Sequence, residues 1–420
     1  MRIAVLGAGV VGVTCAWELM RDGHEVVLVD RERHAALGTS YGNAGFISPG
    51  HAYAWASPKA PGILLKSLYR GDQALRFRPS LDPALWRWMA KFLGQCNTER
   101  AAWNTARKVA LCVYSKQRLN VIAEETGIAF DHLRQGCIYL FRSQAGLEAG
   151  ARKARILIDQ GVAVETVDMN RAAELDPALG GVRDRFAGAL FTPEDETGDC
   201  HTFVQRLAEV LADRGAELRY GTTVRRIEVE GDRAARVVTD RGDIVADAYV
   251  LSLGTASPRF GGVAGVDLPI YPVKGYSMTA PVAGRNRAPT LGGIDEENLI
   301  AWARYGDRVR VTATAEFAGH ATTWTEADFR HMDRTVRELF PDGADWDRAE
   351  RWAGLRPMTP SGLPIYGRGR LRNLWLDTGQ GHMGWTMGAG SARITADLIA
   401  GRTPEIDTSG MRVGDTRRAA

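Results

Sequence analysis

Three glycines and one acidic residue near the N-terminus have the types and spacing that bind a dinucleotide. Gly7, Gly9 and Gly12 form the pattern G-x-G-x-x-G, which permits a tight turn, close approach of a diphosphate and close packing of a helix on a strand. Asp30 follows 18 residues after Gly12, where a carboxylate accepts hydrogen bonds from a ribose hydroxyl and disfavours the 2′-phosphate of NADP. The residues predicted to hold the dinucleotide here are Gly7, Ala8, Gly9, Val10, Val11, Gly12, Asp30 and Arg31.

A β-α-β unit must position these groups, and the surrounding sequence has the periodicity of one. Residues 3–6 are a short apolar run, typical of a buried parallel strand. An apolar stripe at i, i+3, i+4 and i+7 then predicts a helix that packs on a sheet, ended by Gly23. Residues 24–30 form the predicted second strand and place Asp30 at its end. The stripe consists of Val13, Ala16, Trp17 and Met20.

Composition bounds the class of protein. A chain of 420 residues with 45% hydrophobic and 25% charged residues is typical of a globular protein of two or three domains. The net charge of +3, without a basic block, argues against nucleic acid as a partner. Five cysteines stand far apart without a C-x-x-C pair, which indicates free thiols and no metal site.

Localisation is predicted from the absence of targeting patterns. No run of 18 apolar residues is present, so we expect no membrane-spanning helix. The first predicted strand begins at residue 3, which leaves no room for a signal peptide. We therefore expect a cytoplasmic protein, with a peripheral position on the cytosolic face of the inner membrane as the alternative.

The predicted elements are spread in an order that favours two interleaved domains. Residues 62–160 are predicted to be largely helical, whereas 197–254 and 372–401 return to strands and helices in the style of the first unit. A nicotinamide-dependent enzyme usually completes its Rossmann unit without such a distant closing segment. We predict a cofactor domain of residues 1–48, 195–264 and 351–420, and a substrate domain of residues 49–194 and 265–350.

Five longer motifs carry a resemblance to a known family over nearly the whole chain. In order and spacing they resemble the bacterial D-amino-acid dehydrogenases, the small flavin-carrying subunit, within the D-amino-acid oxidase superfamily. The motifs are TSYGNAGFISPG (39–50), PEDETGDC (193–200), YPVKGYSM (271–278), GLRPMTPSGLPIYG (354–367) and NLWLDTGQGHMGWTMGAGS (373–391).

This resemblance implies a fold, a cofactor and a reaction. The fold class is α/β, with an FAD-binding Rossmann-like domain of the D-amino-acid oxidase type interleaved with an α+β substrate domain. The reaction is oxidation of a D-amino acid by non-covalently bound FAD, with hydride passing from Cα to flavin N5. The products are a 2-oxo acid and ammonia, and electrons pass to a quinone or another respiratory acceptor. A partner subunit is a further expectation.

Two alternative reactions remain open at this point. One is a glycine or sarcosine type of amine oxidase that uses oxygen, and the other is a D-proline or hydroxyproline dehydrogenase. The turn GQGHMGW (379–385) departs from the sequence G-H-G-T-L-G-W expected of the family. This turn is implied to lie beside the flavin, so its departure bears on substrate range and acceptor.

The resemblance implies a set of substrate-binding residues. Arg356 is the main candidate, because a planar guanidinium binds a carboxylate through two parallel hydrogen bonds. A matching arginine in a G-L-R-P motif binds the substrate carboxylate in glycine oxidase and related enzymes. A structural salt bridge, a core tyrosine or a solvated lysine is the alternative for individual members. The further candidates are Tyr271, Lys274, Tyr276, His51 and Tyr53.

The resemblance also extends the cofactor site beyond the first unit. A glycine-rich turn lets backbone amides approach the flavin, and the following helix N-terminus offers partial positive charge. His382 is interpreted either as a base or as a hydrogen-bond donor. The added cofactor-binding residues are Asn43, Ala44, Gly45, Val224, Gly254, Gly379, Gly381, His382, Met383, Gly384, Trp385 and Thr386.

One basic and aromatic segment raises the question of membrane contact. Residues 85–94 place Leu85, Trp88, Met89 and Phe92 on one helical face, with cationic residues on another. Such a helix lies either on a membrane surface or against the protein core. The core is the commoner location of such a face.

Overall fold

Two large sheets organise residues 1–67, 74–78 and 80–415, which the structure, a computed structural model, describes. Parts of the predicted helical region 62–160 and of the predicted domains fall on residues 68–73, 79 and 416–420, outside the described residues. The strands are β1 Arg2–Leu6, β2 Glu25–Val29, β3 Phe46–Ile47, β4 Leu75–Phe77, β5 Cys137–Phe141, β6 Glu165–Val167, β7 Gly188–Thr192, β8 Glu196–Thr197, β9 Glu217–Arg219, β10 Val224–Glu230, β11 Arg233–Thr239, β12 Ala248–Leu251, β13 Tyr271–Pro281, β14 Gly292–Asp295, β15 Ile300–Tyr305, β16 Arg308–Phe317, β17 Glu350–Met358, β18 Ile365–Arg368 and β19 Leu374–Thr378.

Helices cover the sheets and connect their strands. Short 3-10 helices add single turns, among them Gly254–Phe260 and Gly381–Met383. The α-helices are α1 Val10–Arg21, α2 Ala60–Ser67, α3 Pro83–Gln95, α4 Thr98–Thr126, α5 Gln144–Ile158, α6 Met169–Leu175, α7 Cys200–Asp213, α8 Gly261–Ala264, α9 Glu326–Leu339 and α10 Gly384–Ile399.

The first sheet has the strand order β18-β19-β12-β1-β2-β9. Its five strands from β19 to β9 are parallel, and β18 is an antiparallel edge. Because successive side chains point to opposite faces, Ile3 and Val5 pack under α1, α7 and α10, while Ala4 and Leu6 pack under the β10–β11 hairpin. Both faces are covered, which explains why these strands are apolar throughout.

The structure confirms the predicted β-α-β unit at the N-terminus. α1 begins at Val10, and three of the four predicted stripe residues are buried against the sheet. Gly23 follows the helix with φ of +80°, a conformation that favours glycine. Asp30 directly follows β2.

The second sheet is larger and mixed. Its order is β17-β13-β16-β15-β14-β5-β7-β6, with β4 added to β16. α9 packs on one face through Phe329, Met332 and Val336. The register between β13 and β16 shifts between Lys274 and Tyr276, so the strand bends at this position. The opposite face is left to line a cavity.

The predicted domain boundaries cut across this sheet pairing. The predicted cofactor segment 351–420 begins inside β17, which pairs with β13 in the second sheet. α4, from the predicted substrate segment 49–194, packs against α10 of the cofactor segment. The two-domain division therefore stays a prediction. β17 and α4 each pack against elements of the other predicted domain.

α3 places the apolar face of residues 85–94 inside the protein. Leu85, Trp88, Met89 and Phe92 are all buried in a cluster with Phe317. This face is thus part of the core, and no membrane contact is assigned to it. No helix within the described ranges is long and apolar enough to cross a bilayer.

Candidate functional site

One large cavity of about 670 Å³ lies between the carboxyl ends of the strands of the first sheet and the open face of the second. Its opposite wall comes from β13, β16 and β17. Most of the residues predicted to bind the cofactor line it. They are Gly7, Ala8, Gly9, Val10, Val11, Asp30, Arg31, Asn43, Ala44, Gly45, Val224, Gly254, Gly381, His382, Met383, Gly384, Trp385 and Thr386.

The loop between β1 and α1 is built for close backbone approach. Gly7 has φ of +110°, and a Cβ there would lie 2.4 Å from the carbonyl oxygen of Ser252. Gly12 does not line the cavity, because it packs on the loop; a Cβ there would lie 1.8 Å from the Gly7 oxygen. α1 begins at Val10 after the N-cap residue Gly9, and because both residues line the cavity, the positive end of the helix dipole faces it. This arrangement suits a diphosphate.

Asp30 stands beside this loop at the end of β2. Its carboxylate accepts hydrogen bonds from the backbone N–H groups of Ala8, at 2.6 Å, and Glu32, at 2.9 Å. Burial raises the pKa of Asp30, while these two hydrogen bonds lower it. An acid held in this way lines the cavity and keeps acceptor capacity for a ribose hydroxyl.

A glycine-rich turn brings α10 to the same cavity. Gly381 has φ of +62° in the 3-10 turn, and α10 begins at Gly384 without a side-chain cap. The Thr386 hydroxyl donates to the Phe46 carbonyl at 2.9 Å, which ties α10 to β3. Gly379, by contrast, lies outside the wall and faces Thr359.

Arg356, on β17, reaches the cavity with an unpaired guanidinium. It donates to the Thr314 carbonyl at 2.9 Å and to the Lys274 carbonyl at 3.4 Å. No carboxylate among the described residues lies within ion-pair distance of it. Gly275 makes room for the side chain, since a Cβ there would lie 2.4 Å from Nη2. Burial lowers the pKa of Arg356 to about 10, so it stays charged near neutral pH.

Comparison with known proteins shows which family has this arrangement. The family model described as FAD dependent oxidoreductase matches residues 2–398. The chain belongs to this family of FAD-dependent oxidoreductases. FAD is accordingly its cofactor, and the chain is an enzyme of redox chemistry.

Curated relatives match over almost the full chain. "D-amino acid dehydrogenase 2" of Mesorhizobium japonicum is 45% identical over 415 residues, which cover 99% of this chain and all of the relative. "D-amino acid dehydrogenase" of Cereibacter sphaeroides is 46% identical over 413 residues, covering 98% of this chain and 95% of the relative.

Solved structures share the fold. Glycine oxidase from Geobacillus kaustophilus has a TM-score of 0.74 at 21% identity, covering 98% of each chain. L-proline dehydrogenase from P. horikoshii has a TM-score of 0.75 at 18% identity, covering 99% of this chain and 98% of that one. The predicted fold class is therefore confirmed.

The cavity fits FAD on its own geometry. Gly12 packs so closely on Gly7 that a Cβ has no room, which keeps the loop compact for a diphosphate. Asp30, hydrogen-bonded to the Ala8 N–H of this loop, is placed to accept a hydrogen bond from a ribose hydroxyl. The uncapped start of α10 faces the far part of the same cavity, where a ring system would lie. Ser40, which sequence reasoning missed, accepts a hydrogen bond from the Val10 N–H at 3.0 Å and lines this wall.

Three predicted substrate residues have other partners. The Tyr276 ring lines the cavity, but its hydroxyl donates to the buried carboxylate of Glu316. The Lys274 ammonium donates to the Thr323 carbonyl, and the Tyr271 ring packs between Trp88 and Phe317 away from the cavity wall. The polar groups of Tyr276 and Lys274 thus have partners within the fold, and a substrate-binding role for these three residues stays a prediction.

The other two predicted substrate residues belong to a polar part of the cavity wall. His51 Nε2 lies 2.8 Å from Glu296 Oε1, and the His51 ring stacks on Tyr139. The Lys153 ammonium lies 3.7 Å from the centre of the Tyr53 ring. Sequence reasoning missed Glu296 and Lys153, because neither stands in a motif; one follows β14 and the other lies on α5.

A buried lysine fixes His382. Lys108 on α4 is only 1% exposed, and its ammonium donates to His382 Nε2 at 3.3 Å and to the Tyr53 carbonyl at 3.0 Å. The His382 ring also stacks on Trp55 with ring centres 4.5 Å apart. Burial, then Lys108, Arg356 and His51, hold the pKa of His382 well below its usual value. His382 is therefore neutral, and the Lys108 contact assigns its proton to Nδ1.

Proposed function

We propose that the chain oxidises D-amino acids to 2-oxo acids and ammonia and passes the electrons to a quinone-type acceptor. The observation that carries the proposal is the cationic Arg356, which faces the FAD cavity without a carboxylate partner among the described residues. Arg356 is half-buried, so its charge is only partly solvated, and the carboxylate of an amino acid would supply the missing anion. Relatives 42–46% identical, all named D-amino acid dehydrogenase, support the choice of substrate.

Arg356 would bind the substrate carboxylate in a forked pair of hydrogen bonds. Its two backbone acceptors on β16 and β13 hold the guanidinium in one orientation, so the bound carboxylate is oriented as well. Bound in this cavity, FAD would supply the hydride acceptor for the substrate Cα–H; loss of hydride from the neutral amino acid would leave its iminium form, which water hydrolyses to the 2-oxo acid and ammonium.

Two further features of this chain suit that reaction. The uncapped N-terminus of α10 directs partial positive charge into the cavity and favours negative charge there. His382, neutral and protonated on Nδ1, is available as a hydrogen-bond donor and is a weak base at neutral pH. We therefore assign it donation rather than proton abstraction; the substrate amine must enter already neutral.

An apolar surface near the cavity supports the choice of a quinone-type acceptor. We call it the α2–α3 patch, and it is flanked by cationic Lys66 and Arg87. Ile63 also lines the mouth of the cavity, so the patch and the FAD site are adjacent. Exposed apolar residues with basic neighbours favour contact with an anionic membrane surface, where quinone dissolves. The patch consists of Ile63, Leu65, Leu81, Trp86 and Leu93, exposed by 48%, 60%, 98%, 49% and 45%.

The test is anaerobic reduction of the flavin by a panel of D- and L-amino acids, followed by stopped-flow absorbance. D-amino acids should bleach the flavin and L-amino acids should not. Arg356→Lys should raise KM for D-amino acids about 10- to 100-fold with normal FAD content, because lysine keeps the charge but loses the fork. A decarboxylated amine should be hardly affected.

Arg351→Lys is the matched control. It is the same change on the same strand, but Arg351 pairs with Glu326 outside the cavity. Equal losses for amino acid and amine in Arg356→Lys would count against the proposal. Rapid reoxidation of the reduced enzyme by air, with release of peroxide, would replace the quinone-type acceptor by oxygen.

A further inference from the structure

A second cavity of about 270 Å³ adjoins the first. Four residues line both cavities, so the two are separated only by their shared side chains: His51, Tyr53, Lys153 and Glu296. Aromatic and aliphatic groups, including Tyr139, Phe141 and Leu190, form much of the remaining wall. Lys59 and Glu297 add one charge of each sign to this wall, and the side shared with the first cavity, which we call the entrance, carries His51, Lys153 and Glu296.

Glu296 is a charged acceptor at this entrance. One carboxylate oxygen, Oε1, accepts from His51, and this is the hydrogen bond that the structure shows for Glu296 among the described residues, which leaves Oε2 open. The side chain keeps 23% of its surface accessible. Burial raises the pKa of Glu296, but the opposing effects of His51 and Lys153 are larger. The net pKa therefore lies below its usual value. The carboxylate is therefore ionised and turned towards the cavities.

Lys153 provides a donor on the same wall. Its ammonium rests on the Tyr53 ring, and no hydrogen bond to a described residue holds it. Lys153 as a whole residue is exposed, and its ammonium lies on the cavity side, where desolvation lowers its pKa, Glu296 raises it in part and Lys59 lowers it again. The entrance to the second cavity thus presents an acceptor and a donor together.

The opposite charges of Glu296 and Lys153 would discriminate between substrates by the group at the end of the substrate side chain. A cationic side chain is attracted by Glu296 but repelled by Lys153, and an anionic side chain meets the opposite pair of forces. An apolar end group that displaces water would leave Glu296 Oε2 and the Lys153 ammonium without a hydrogen-bond partner on the cavity side. A neutral group that both accepts and donates a hydrogen bond satisfies both, as a carboxamide does.

We propose that the second cavity holds the substrate side chain, and that Glu296 and Lys153 select neutral side chains that accept and donate hydrogen bonds. This inference rests on the proposed oxidation of D-amino acids, with the carboxylate bound by Arg356. The carbonyl of a carboxamide accepts from Lys153, and its amide N–H donates to Glu296 Oε2. Specificity then resides in His51, Lys153 and Glu296, on three elements remote in sequence.

The test compares D-glutamine, D-glutamate and D-methionine, which have similar length and differ in the end group. With an artificial dye as acceptor, kcat/KM for D-glutamine should exceed both others by about tenfold or more. Glu296→Gln should lower this preference and raise the relative kcat/KM for D-glutamate. Lys153→Met should lower kcat/KM for D-glutamine and D-glutamate while sparing D-methionine. D-alanine, whose side chain does not reach the entrance, should change by less than about twofold.

Arg152→Met is the control, since Arg152 is the exposed neighbour on α5 and pairs with Glu148. FAD content and D-alanine activity show that each variant is folded. Equal kcat/KM for the three substrates, or equal changes that include D-alanine, would overturn the inference and make the second cavity a common entrance. Failure to oxidise any D-amino acid, D-alanine included, would overturn the proposed function and this inference with it.

Discussion

The two cations beside the FAD cavity, Arg356 and Lys108, differ in what their side chains contact. Arg356 presents its charge to the cavity, and only carbonyl groups hold it from behind. Lys108 does not line the cavity and instead donates to His382 and to the Tyr53 carbonyl. One cation is therefore positioned to meet a ligand, while the other orients the groups that surround it.

Lys108→Met should alter the pH dependence of flavin reduction. Burial lowers the pKa of Lys108; with Cys112 raising it and Lys153 lowering it, the net pKa is about 8. In the wild type, loss of this proton near pH 8 weakens the donor that fixes His382. The variant keeps the length of the side chain but has no such ionisation, so its pH profile for flavin reduction should lack a step near pH 8. Stopped-flow reduction by D-alanine from pH 6 to 10 measures both profiles.

The same change should affect stability with a defined sign. The folded-state pKa lies below the unfolded value of about 10.4, so between these pH values the unfolded chain binds more protons. Wild-type stability therefore rises with pH in this range, by up to about 1.4 kcal/mol per pH unit. Lys108→Met removes this titration, so the difference in thermal unfolding temperature between the two holoenzymes should move in favour of the wild type as the pH rises from 8 to 10. Lys116→Met on the same helix, where Lys116 donates to the Glu194 carbonyl, is the control and should show neither effect.

At the scale of elements, the cofactor loop depends on how closely α1 approaches β1. The Gly12 position lies against the Gly7 carbonyl, and Gly7 in turn lies against Ser252 after β12. Three elements thus meet through backbone atoms without side chains between them. Backbone contacts of this kind leave little freedom to adjust.

Gly12→Ala should therefore displace α1 and weaken FAD binding. The added Cβ would lie 1.8 Å from the Gly7 oxygen, a contact that backbone atoms cannot relieve by rotating a side chain. Overpacking of this kind costs about 1–3 kcal/mol. The purified variant should contain less FAD and unfold at lower temperature, as measured by absorbance and calorimetry. Gly94→Ala on α3, where a Cβ meets nothing within 4 Å, should keep its FAD; if both variants keep it, the close approach is not needed.

The elements differ in how far the sequence predicts them. The β-α-β unit was predictable because its glycines, apolar stripe and terminal acid are contiguous. Arg356 and the turn before α10 were identified through resemblance, since their motifs are long. Lys108, Lys153 and Glu296 were not predicted, because each is a single charged residue whose surroundings come from distant segments. The motif indicated Tyr276 as a substrate candidate, but it could not show the hydrogen bond of the hydroxyl to Glu316, which lies 40 residues away.

At the scale of the whole molecule, α3 has two apolar faces. One packs in the core, and the other belongs to the exposed α2–α3 patch. Trp88 and Phe92 are buried against the second sheet, whereas Trp86 and Leu93 are exposed. A single helix therefore supports the substrate side of the cavity and presents an apolar surface. The proposed membrane contact uses this outward face.

Trp86→Ser combined with Leu93→Ser should weaken binding to anionic phospholipid vesicles. Burial of one large apolar side chain contributes about 1.5–3 kcal/mol, so partial insertion of two should change vesicle affinity about tenfold or more. Reoxidation by quinone embedded in the vesicles should slow, while reoxidation by a water-soluble quinone should not. Trp324→Ser, which removes an exposed tryptophan on the loop before α9, is the control. Unchanged vesicle binding by the double variant would exclude this patch as the contact.

The order of strands in the first sheet has a consequence for biosynthesis. β1 pairs with β12, β12 pairs with β19, and α10 follows β19. A ribosome adds about 5–20 residues per second, so roughly 20–75 seconds separate synthesis of the phosphate loop from that of the turn before α10. During this interval the nascent chain has the first half of a flavin site without the second. Flavin incorporation is thus a late event in the life of each molecule, and a chain released early carries the phosphate loop but cannot close around the ring.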